Sequence, residues 1–258
     1  MIHLKSPAEI NLMVEGGKKL AEIRNLLVSR AKSGVTTQAL DELAKKEILA
    51  FGGRPSFTTV RHYPYTTCIS VNDEVVHGLP GKRKLALGDV VKIDLGMIYG
   101  DLHTDTTDTI QVDAERSRSI EGKNESETER FLRVGKETLG KAIGVVKPGN
   151  RIGHISQAIQ ENIEKAGYSE VKVLTGHGIG RVLHEEPMIP QFLDGPIENT
   201  PEIKPGMTFA IEVIYNLGTG LVVMRPDGWT IASEDGKISA TFEKSLAVGE
   251  KGVIVLTP

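Results

Sequence analysis

The 258-residue sequence is poor in several things at once. It has one cysteine, Cys68, one tryptophan, and an aromatic content of only 5%. A single cysteine excludes an internal disulfide and any cysteine-based zinc knuckle, and it fits a reducing compartment. No apolar run approaches the roughly 20 residues that cross a bilayer as a helix. The opening Met1-Ile2-His3-Leu4-Lys5-Ser6-Pro7 lacks the apolar core of a signal peptide. Neither sign of charge dominates: 31 Lys and Arg against 34 Asp and Glu leave a net charge of −3. That balance argues against nucleic-acid binding driven by bulk charge. The expectation is a cytoplasmic protein with no membrane partner and no specific nucleic-acid partner. Its apolar content of 39% and charged content of 25% are those of an ordinary globular chain. The length suits one large domain or two small ones.

Helix signals come in two matching sets. Ser6-Pro7-Ala8-Glu9 is a capping box with proline in the first turn. Apolar periodicity then runs through Leu12, Val14, Leu20, Ile23 and Leu27 until Gly34. A second helix follows Thr36 or Thr37 through Leu40, Leu43 and Ile48 to Gly52. Ser126-Glu127-Thr128-Glu129 is another capping box, followed by Phe131, Val134, Leu139 and Ile143 up to Pro148-Gly149. Ile152, Ile155, Ile159 and Ile163 mark a fourth helix, closed by Gly167. Gly34 to Gly52 and Gly149 to Gly167 both span 18 positions. The pattern predicts two similar halves, about 1–112 and 126–258, each with two helices ahead of a set of strands. The charged stretch 113–125 reads as an exposed connection between them. The whole of 1–258 is expected to form one catalytic domain.

Strands are expected at 66–72, 89–98, 103–112, 171–175, 207–215, 221–225 and 239–247, rich in Val, Ile, Thr and Leu and bounded by Gly, Pro or Asp. Helices fall between groups of strands instead of alternating with each one. The fold class is therefore α+β, with a mainly antiparallel sheet.

Four of these strands contain a carboxylate inside an apolar run, where a charge is costly unless something positive meets it. They are Asp94 in Val90–Gly96, Asp105 in His103–Asp108, Glu212 in Met207–Tyr215 and Glu243 in Ser239–Ala247. A tight turn near Tyr99-Gly100 makes a hairpin of the first two strands. It sets Asp94 opposite Asp105 with Cα atoms roughly 4.5–5.5 Å apart. Like charges so placed repel unless a cation lies between them. Glu243 also has a simpler account, a salt bridge to Lys244 or an edge-strand position. Between these acids lies Gly176-His177-Gly178-Ile179-Gly180-Arg181-Val182-Leu183-His184-Glu185-Glu186-Pro187. The flanking glycines give His177 the backbone freedom to aim a ring nitrogen. His184 is not part of a zincin helix, because Met188 stands where a second histidine is required and Pro187 breaks the helix. His77 follows a strand and enters a turn. Four carboxylates and one imidazole suit a site for two divalent cations, whose charge the four acids balance. Oxygen-rich ligation with one imidazole fits Mn, Fe, Co or Zn.

The motifs Asn72–Gly81, Ile93-Asp94 with Asp105, Gly176–Pro187, Phe209-Ala210-Ile211-Glu212 and Phe242-Glu243 occur in that order. Together they resemble the type I methionine aminopeptidases over nearly the whole chain. The resemblance implies the pseudo-two-fold "pita-bread" fold, a curved antiparallel sheet with two helices per half. It implies Asp94, Asp105, His177, Glu212 and Glu243 as ligands of two metal ions. His77 and His184 correspond to the family's substrate-contacting histidines. Tyr63, Cys68, Leu183 and Trp229 align with the lining of its methionine side-chain pocket. Val213 stands where the family usually has proline, and Lys244 where it often has histidine.

The implied reaction removes the initiator methionine from nascent polypeptides with a small second residue, through attack of a metal-activated water on the first peptide bond. Glu212 is the candidate to relay the proton, His184 to stabilise the oxyanion, and His77 to contact the scissile amide or the second residue. The expected protein is a monomer, with the ribosome as a candidate partner. Xaa-Pro aminopeptidases and prolidases share the fold and a similar ligand set, but usually carry an extra N-terminal domain, whereas here a helix starts at Ser6. A metal-free peptide-binding relative is the other reading, and intact candidates at all five ligand positions argue against it.

Overall fold

A computed structural model of the protein describes residues 2–113 and 125–258. Helix α1 (Pro7–Arg30) begins as its sequence demands. The Ser6 hydroxyl accepts the Glu9 N–H at 3.3 Å, and the Glu9 carboxylate accepts the Ser6 N–H at 2.7 Å. Thr36 caps α2 (Thr37–Ala50). Ser126 and Glu129 repeat the reciprocal cap at α3 (Glu127–Gly144), and α4 (Ile152–Lys165) completes the second pair. The four glycines spaced 18 apart share one backbone conformation. Gly34, Gly52, Gly149 and Gly167 have φ of 87°, 78°, 87° and 86°, a left-handed geometry that side chains rarely adopt. One chain-reversal solution is thus used twice. Of the expected connection over 113–125, residues 114–124 lie outside the described residues.

The first half adds β1 (Arg54–Pro55), β2 (Thr67–Val71), β3 (Glu74–Val76), β4 (Val90–Tyr99) and β5 (Leu102–Gln111). The second adds β6 (Ser169–Glu170), β7 (Thr175–Gly178), β8 (Glu185–Pro190), β9 (Thr208–Asn216), β10 (Val222–Met224), β11 (Ile231–Ser233), β12 (Ser239–Gly249) and β13 (Gly252–Val255). Every ladder is antiparallel, and in each half a long strand lies between two partners. β4 is flanked by β2 and β5, and β9 by β12 and β7. The strand expected at 171–175 is not formed. Val171–Leu174 makes a turn, with Val173 pointing into solvent, and the strand starts at Thr175. Strands β1, β3, β6, β8, β11 and β13 were not expected.

Alternation along the strands sorts side chains into two faces. Val91, Ile93, Leu95 and Met97 of β4 pack against Leu20, Ile23 and Leu27 of α1 and Leu40, Ala44 and Ile48 of α2. Phe209, Ile211, Val213 and Tyr215 of β9, with Phe242 and Leu246 of β12, pack against Phe131 of α3 and Ile155, Ile159 and Ile163 of α4. The opposite face carries Asp94, Glu212 and Glu243. The two half-sheets meet where β5 lies beside β12, and hydroxyls make that seam. Thr109 Oγ1 donates to Thr241 O and accepts the Thr241 N–H, Thr106 Oγ1 donates to Glu243 O, and Ser245 Oγ bonds the Asp105 backbone. The threonine-rich run of β5 therefore replaces a backbone ladder.

Two glycines of α3 test this packing in opposite directions. A Cβ on buried Gly135 would come within 2.5 Å of the Phe242 ring and the Tyr215 hydroxyl, whereas one on exposed Gly140 meets nothing within 4 Å. Gly135→Ala is expected to destabilise by about 1–3 kcal/mol through overpacking. Gly140→Ala should stabilise by about 0.5–1 kcal/mol, the usual helix gain. Urea unfolding of both variants measures this; equal signs would contradict the packing described.

Candidate metal centre and its pocket

The inner faces of β4, β5, β9 and β12 converge on one cavity of about 140 Å³. All eleven residues singled out from the sequence line it: Tyr63, Cys68, His77, Asp94, Asp105, His177, Leu183, His184, Glu212, Trp229 and Glu243.

The geometry of the aspartates corrects the expected hairpin. The turn is Gly100-Asp101, with φ of 56° and 62°, and Tyr99 pairs with Leu102. Asp94 therefore faces Thr107, and Asp105 faces Gly96. The two acids are diagonal neighbours, not direct partners. Moving the turn by one residue changes the pairing by two positions, so both stay on the same face. The directly opposed pair is instead Glu212 and Glu243, which are partners in the β9–β12 ladder.

The simpler accounts of Glu243 do not apply. Lys244 follows it on the strand and points to the other face. There its ammonium is pushed down to about 8 by burial, among Arg24, Asp108 and Lys136. Nor is Glu243 at a free edge, since β9 pairs on one side and the β5 hydroxyls reach it on the other. Thr107 Oγ1 donates to Glu243 Oε2 at 2.8 Å, a contact that the alternation of β5 beyond Asp105 could have signalled. Val213, likewise, is fully buried in the helix-side core and faces away from the cavity.

His177 sits on β7, next to Ala210 of β9. Its flanking glycines provide space, not unusual backbone angles: neither has a positive φ. A Cβ at Gly176 would lie 2.5 Å from Ala210 O, and one at Gly178 only 2.2 Å from Glu186 O. The ring orientation follows from one bond. His177 Nδ1 lies 2.9 Å from Gly178 O, which can only accept, so Nδ1 carries the proton and Nε2 is left bare. That bare nitrogen faces Glu212 Oε1 at 3.5 Å. Ligand atoms of Asp105, His177 and Glu243 all lie within 4.8 Å of one another.

Among the described residues, no lysine or arginine forms an ion pair with any of the four acids. Asp94 Oδ1 and Glu243 Oε1 are buried with no hydrogen-bond partner. Burial, then the neighbouring acids, pushes the carboxyls of Asp94 and Glu243 well up. Burial raises Asp105 to about 7, and burial with Asp105 raises Glu212 to about 8. Burial, then His184, lowers His177 to about 4. Two orphaned carboxylate oxygens, a bare imidazole nitrogen and four acids without a counter-cation fit divalent metal ions.

Beyond the acids the cavity turns apolar. Phe57, Val60, Tyr63, Cys68, Leu183 and Trp229 form its wall. Tyr63 and Trp229 meet edge to face, with ring centroids 4.9 Å apart, and the Tyr63 hydroxyl donates to Thr67 O. Phe57 and Val60 were not singled out from the sequence, because neither stands in a strand or beside a polar motif. His77 and His184 are both exposed at the mouth. His77 holds a φ of 59°, anchored by Gly78, whose N–H donates to Ser70 Oγ and whose carbonyl accepts the Ile69 N–H. The His184 ring centroid is 4.5 Å from that of His177.

Lys92 was also missed. It precedes Asp94 by two on the same face, is fully buried, and its ammonium donates to Asn72 O, Ser239 O and Ser239 Oγ. It ties the first half to the start of β12 at the floor of the cavity.

Comparison with known proteins places this geometry. A methionine aminopeptidase of Clostridium perfringens is 39% identical, covering 100% of this chain and 99% of that relative. The solved methionine aminopeptidase of Thermotoga maritima superposes with a TM-score of 0.91 at 36% identity, covering 100% of this chain and 99% of that one. The prolidase of Pyrococcus furiosus shares the fold at 21% identity, with a TM-score of 0.77 over 99% of this chain and 65% of that one. The pseudo-symmetric pita-bread architecture is therefore common to all three. The profile of metallopeptidase family M24 matches residues 11–250, so the chain belongs to that family.

Proposed function

We propose that the protein is a divalent-metal-dependent aminopeptidase that removes the N-terminal methionine of polypeptides whose second residue is small. The observation that carries this reading is the joining of two environments in one cavity. A cluster of uncompensated carboxylates and a bare imidazole abuts a closed apolar wall of aromatic, aliphatic and thiol side chains. An unbranched thioether side chain suits such a wall, because sulfur packs well against aromatic edges. Relatives that share the whole chain at 36–39% identity carry the name methionine aminopeptidase.

Asp94, Asp105, His177, Glu212 and Glu243 are proposed to hold two metal ions, drawn from Mn, Fe, Co and Zn. When bound, such ions lower the pKa of a water and polarise a carbonyl. The chain's own groups do the rest. Glu212 is positioned to take the proton of the attacking water and pass it to the leaving amine. His184, although exposed at the mouth, has its ring partly desolvated by the cavity, which lowers its pKa and makes it a neutral donor at pH 7, able to stabilise the carbonyl oxygen as it gains charge. His77, held at a fixed angle by the Gly78 anchors, contacts the scissile amide or the second residue. The free α-amine would meet a metal or the acidic edge of the cavity, which restricts the enzyme to chain ends. Tyr63, Cys68, Leu183 and Trp229 hold the methionine side chain. Under this reading residues 1–258 act as one catalytic domain, a monomer working on nascent chains in the cytoplasm, with the ribosome as a candidate partner. No described helix is long and apolar enough to cross a membrane.

Metal-dependent release of methionine from Met-Ala-Ser, with no cleavage of an Xaa-Pro dipeptide, is the expected result. The reverse preference would move the protein to the prolidase branch. His184→Ala should lower kcat by about 10²–10³, the loss of one oxyanion donor, with metal affinity unchanged. Loss of metal binding with normal turnover at metal excess would make His184 a ligand instead.

The raised carboxyls generate a further expectation. In the metal-free protein at pH 7 several of the four acids hold protons, which the ions must displace. Apparent metal affinity should therefore rise with pH across the range of about 7 to 8 where Asp105 and Glu212 titrate. Calorimetric titration of Mn²⁺ in buffers of different ionisation enthalpy should detect proton release. Binding with no proton release at pH 7 would contradict this charge arrangement.

A further inference from the structure

His184 and Leu183 lie on the short segment between β7 and β8, and this segment has no regular structure of its own. It is held from outside. Glu185, the next residue, sends its carboxylate back under the loop. Its Oε1 accepts the N–H of Arg181 at 2.6 Å and of Val182 at 3.3 Å. Its Oε2 accepts a short, charged hydrogen bond from Lys5 Nζ. The Lys5 and Glu185 side chains are 1% and 4% exposed. Lys5 comes from the segment ahead of α1, and its own N–H is fixed to Gly206 O at 2.7 Å. The approach is close enough to dictate the sequence opposite. A Cβ on Gly180 would lie 2.2 Å from Lys5 Cε, so a larger residue there would displace the lysine side chain. Farther out, Arg181 pairs with Glu9 of α1 at 2.9 Å, an exposed contact that contributes little.

A buried ion pair is poor value as stabilisation, since desolvation offsets most of the attraction. Its consequence is geometric. With Lys5 present, both Glu185 carboxylate oxygens have partners and the side chain is fixed, and through two backbone N–H groups it sets the path of residues 181–184. We propose that Lys5 is a positioning residue for His184, acting through Glu185 on the loop that aims the imidazole into the cavity. This rests on the role given to His184 above.

The test is a double-mutant cycle with Met-Ala-Ser as substrate. Lys5→Met should lower kcat about ten- to a hundredfold, the range for a misplaced catalytic group, with metal affinity unchanged. In the Lys5→Met/His184→Ala double variant the losses should not multiply: kcat should match that of His184→Ala alone, because Lys5 has nothing left to position. Multiplied losses with an active wild type would overturn the proposal and leave the functional reading intact. Lys5→Met leaves an uncompensated buried charge, so Lys5→Met/Glu185→Gln is the folding control. Glu185→Gln keeps an acceptor for the Arg181 and Val182 N–H groups without the charge. That pair should restore thermal stability and recover part of kcat, while recovered stability with no gain in kcat would count against the loop as the route. An independent readout is the ¹H–¹⁵N ring spectrum of His184. Lys5→Met should shift or broaden it more than the His77 signals. An unchanged His184 ring would overturn the proposal even if the wild type showed no aminopeptidase activity.

Discussion

The structure turns on a charge problem: four carboxylates share one cavity, and among the described residues no lysine or arginine forms an ion pair with them. Like charges at these separations cannot all ionise in a buried site. Either protons remain on them or cations enter between them. The strands give the acids no route of escape. Asp94 and Asp105 are fixed by the β4–β5 ladder and Glu212 and Glu243 by the β9–β12 ladder, and hydroxyls fasten the two ladders to each other. Each strand also presses its other face into a helix-covered core. A strand cannot turn an acid outward without exposing that core, because a one-residue slip exchanges the two faces. Core packing therefore holds the repulsive cluster together until something positive binds.

The two halves build the cluster from similar parts. Each half supplies two helices, two left-handed glycines 18 positions apart and a strand pair with one cavity acid per strand. The halves are not equivalent at the site. The second half opposes its glutamates directly, while the first sets its aspartates diagonally. A glutamate reaches farther than an aspartate, so direct opposition still leaves the longer side chains room to diverge. The asymmetry continues at the third strand. β7 brings His177 to the acids, whereas the first half brings Cys68 of β2, directly paired with Asp94, to the apolar wall. One half thus adds a metal-type donor and the other a pocket surface.

Local rules were legible and long-range ones were not. Ser6/Glu9 and Ser126/Glu129 are contacts within one turn, and the helices start where those residues predict. Asp94, Glu212 and Glu243 could be chosen because each breaks into a largely apolar strand, and Asp105 because the hairpin brings it to the face of Asp94. The hairpin pairing was misread because Gly100-Asp101, not Tyr99-Gly100, forms the turn; a glycine alone does not say which side of it the second turn residue lies. β3, β8, β11 and β13 are short and lean on their neighbours for hydrogen bonds, so their own periodicity carries little signal. Lys92 and Glu185 were passed over because charged residues are mostly solvated, even on strands. What buries them is Ser239 in one case and Lys5 in the other, and sequence spacing announces neither.

The three histidines of the cavity show how far environment, not residue type, assigns chemistry. His177 is buried, gives its Nδ1 proton to a carbonyl and is held neutral by desolvation, which leaves one lone pair for a cation. His184 stands at the mouth on an irregular loop, whose Arg181 and Val182 N–H groups are held by Glu185 and, through it, by Lys5. His77 is exposed as well, and its left-handed backbone is tied at Gly78 to Ser70 and Ile69. A ligand needs a fixed lone pair, and a strand between two ladders provides it. Groups that meet a substrate must reach solvent, and exposed loop residues do. Such loops lack ladder bonds, so their precision has to come from elsewhere. Here it comes from single buried polar contacts, and those contacts are the places where, under the role proposed for Lys5, a distant substitution is expected to alter turnover without touching the four acids.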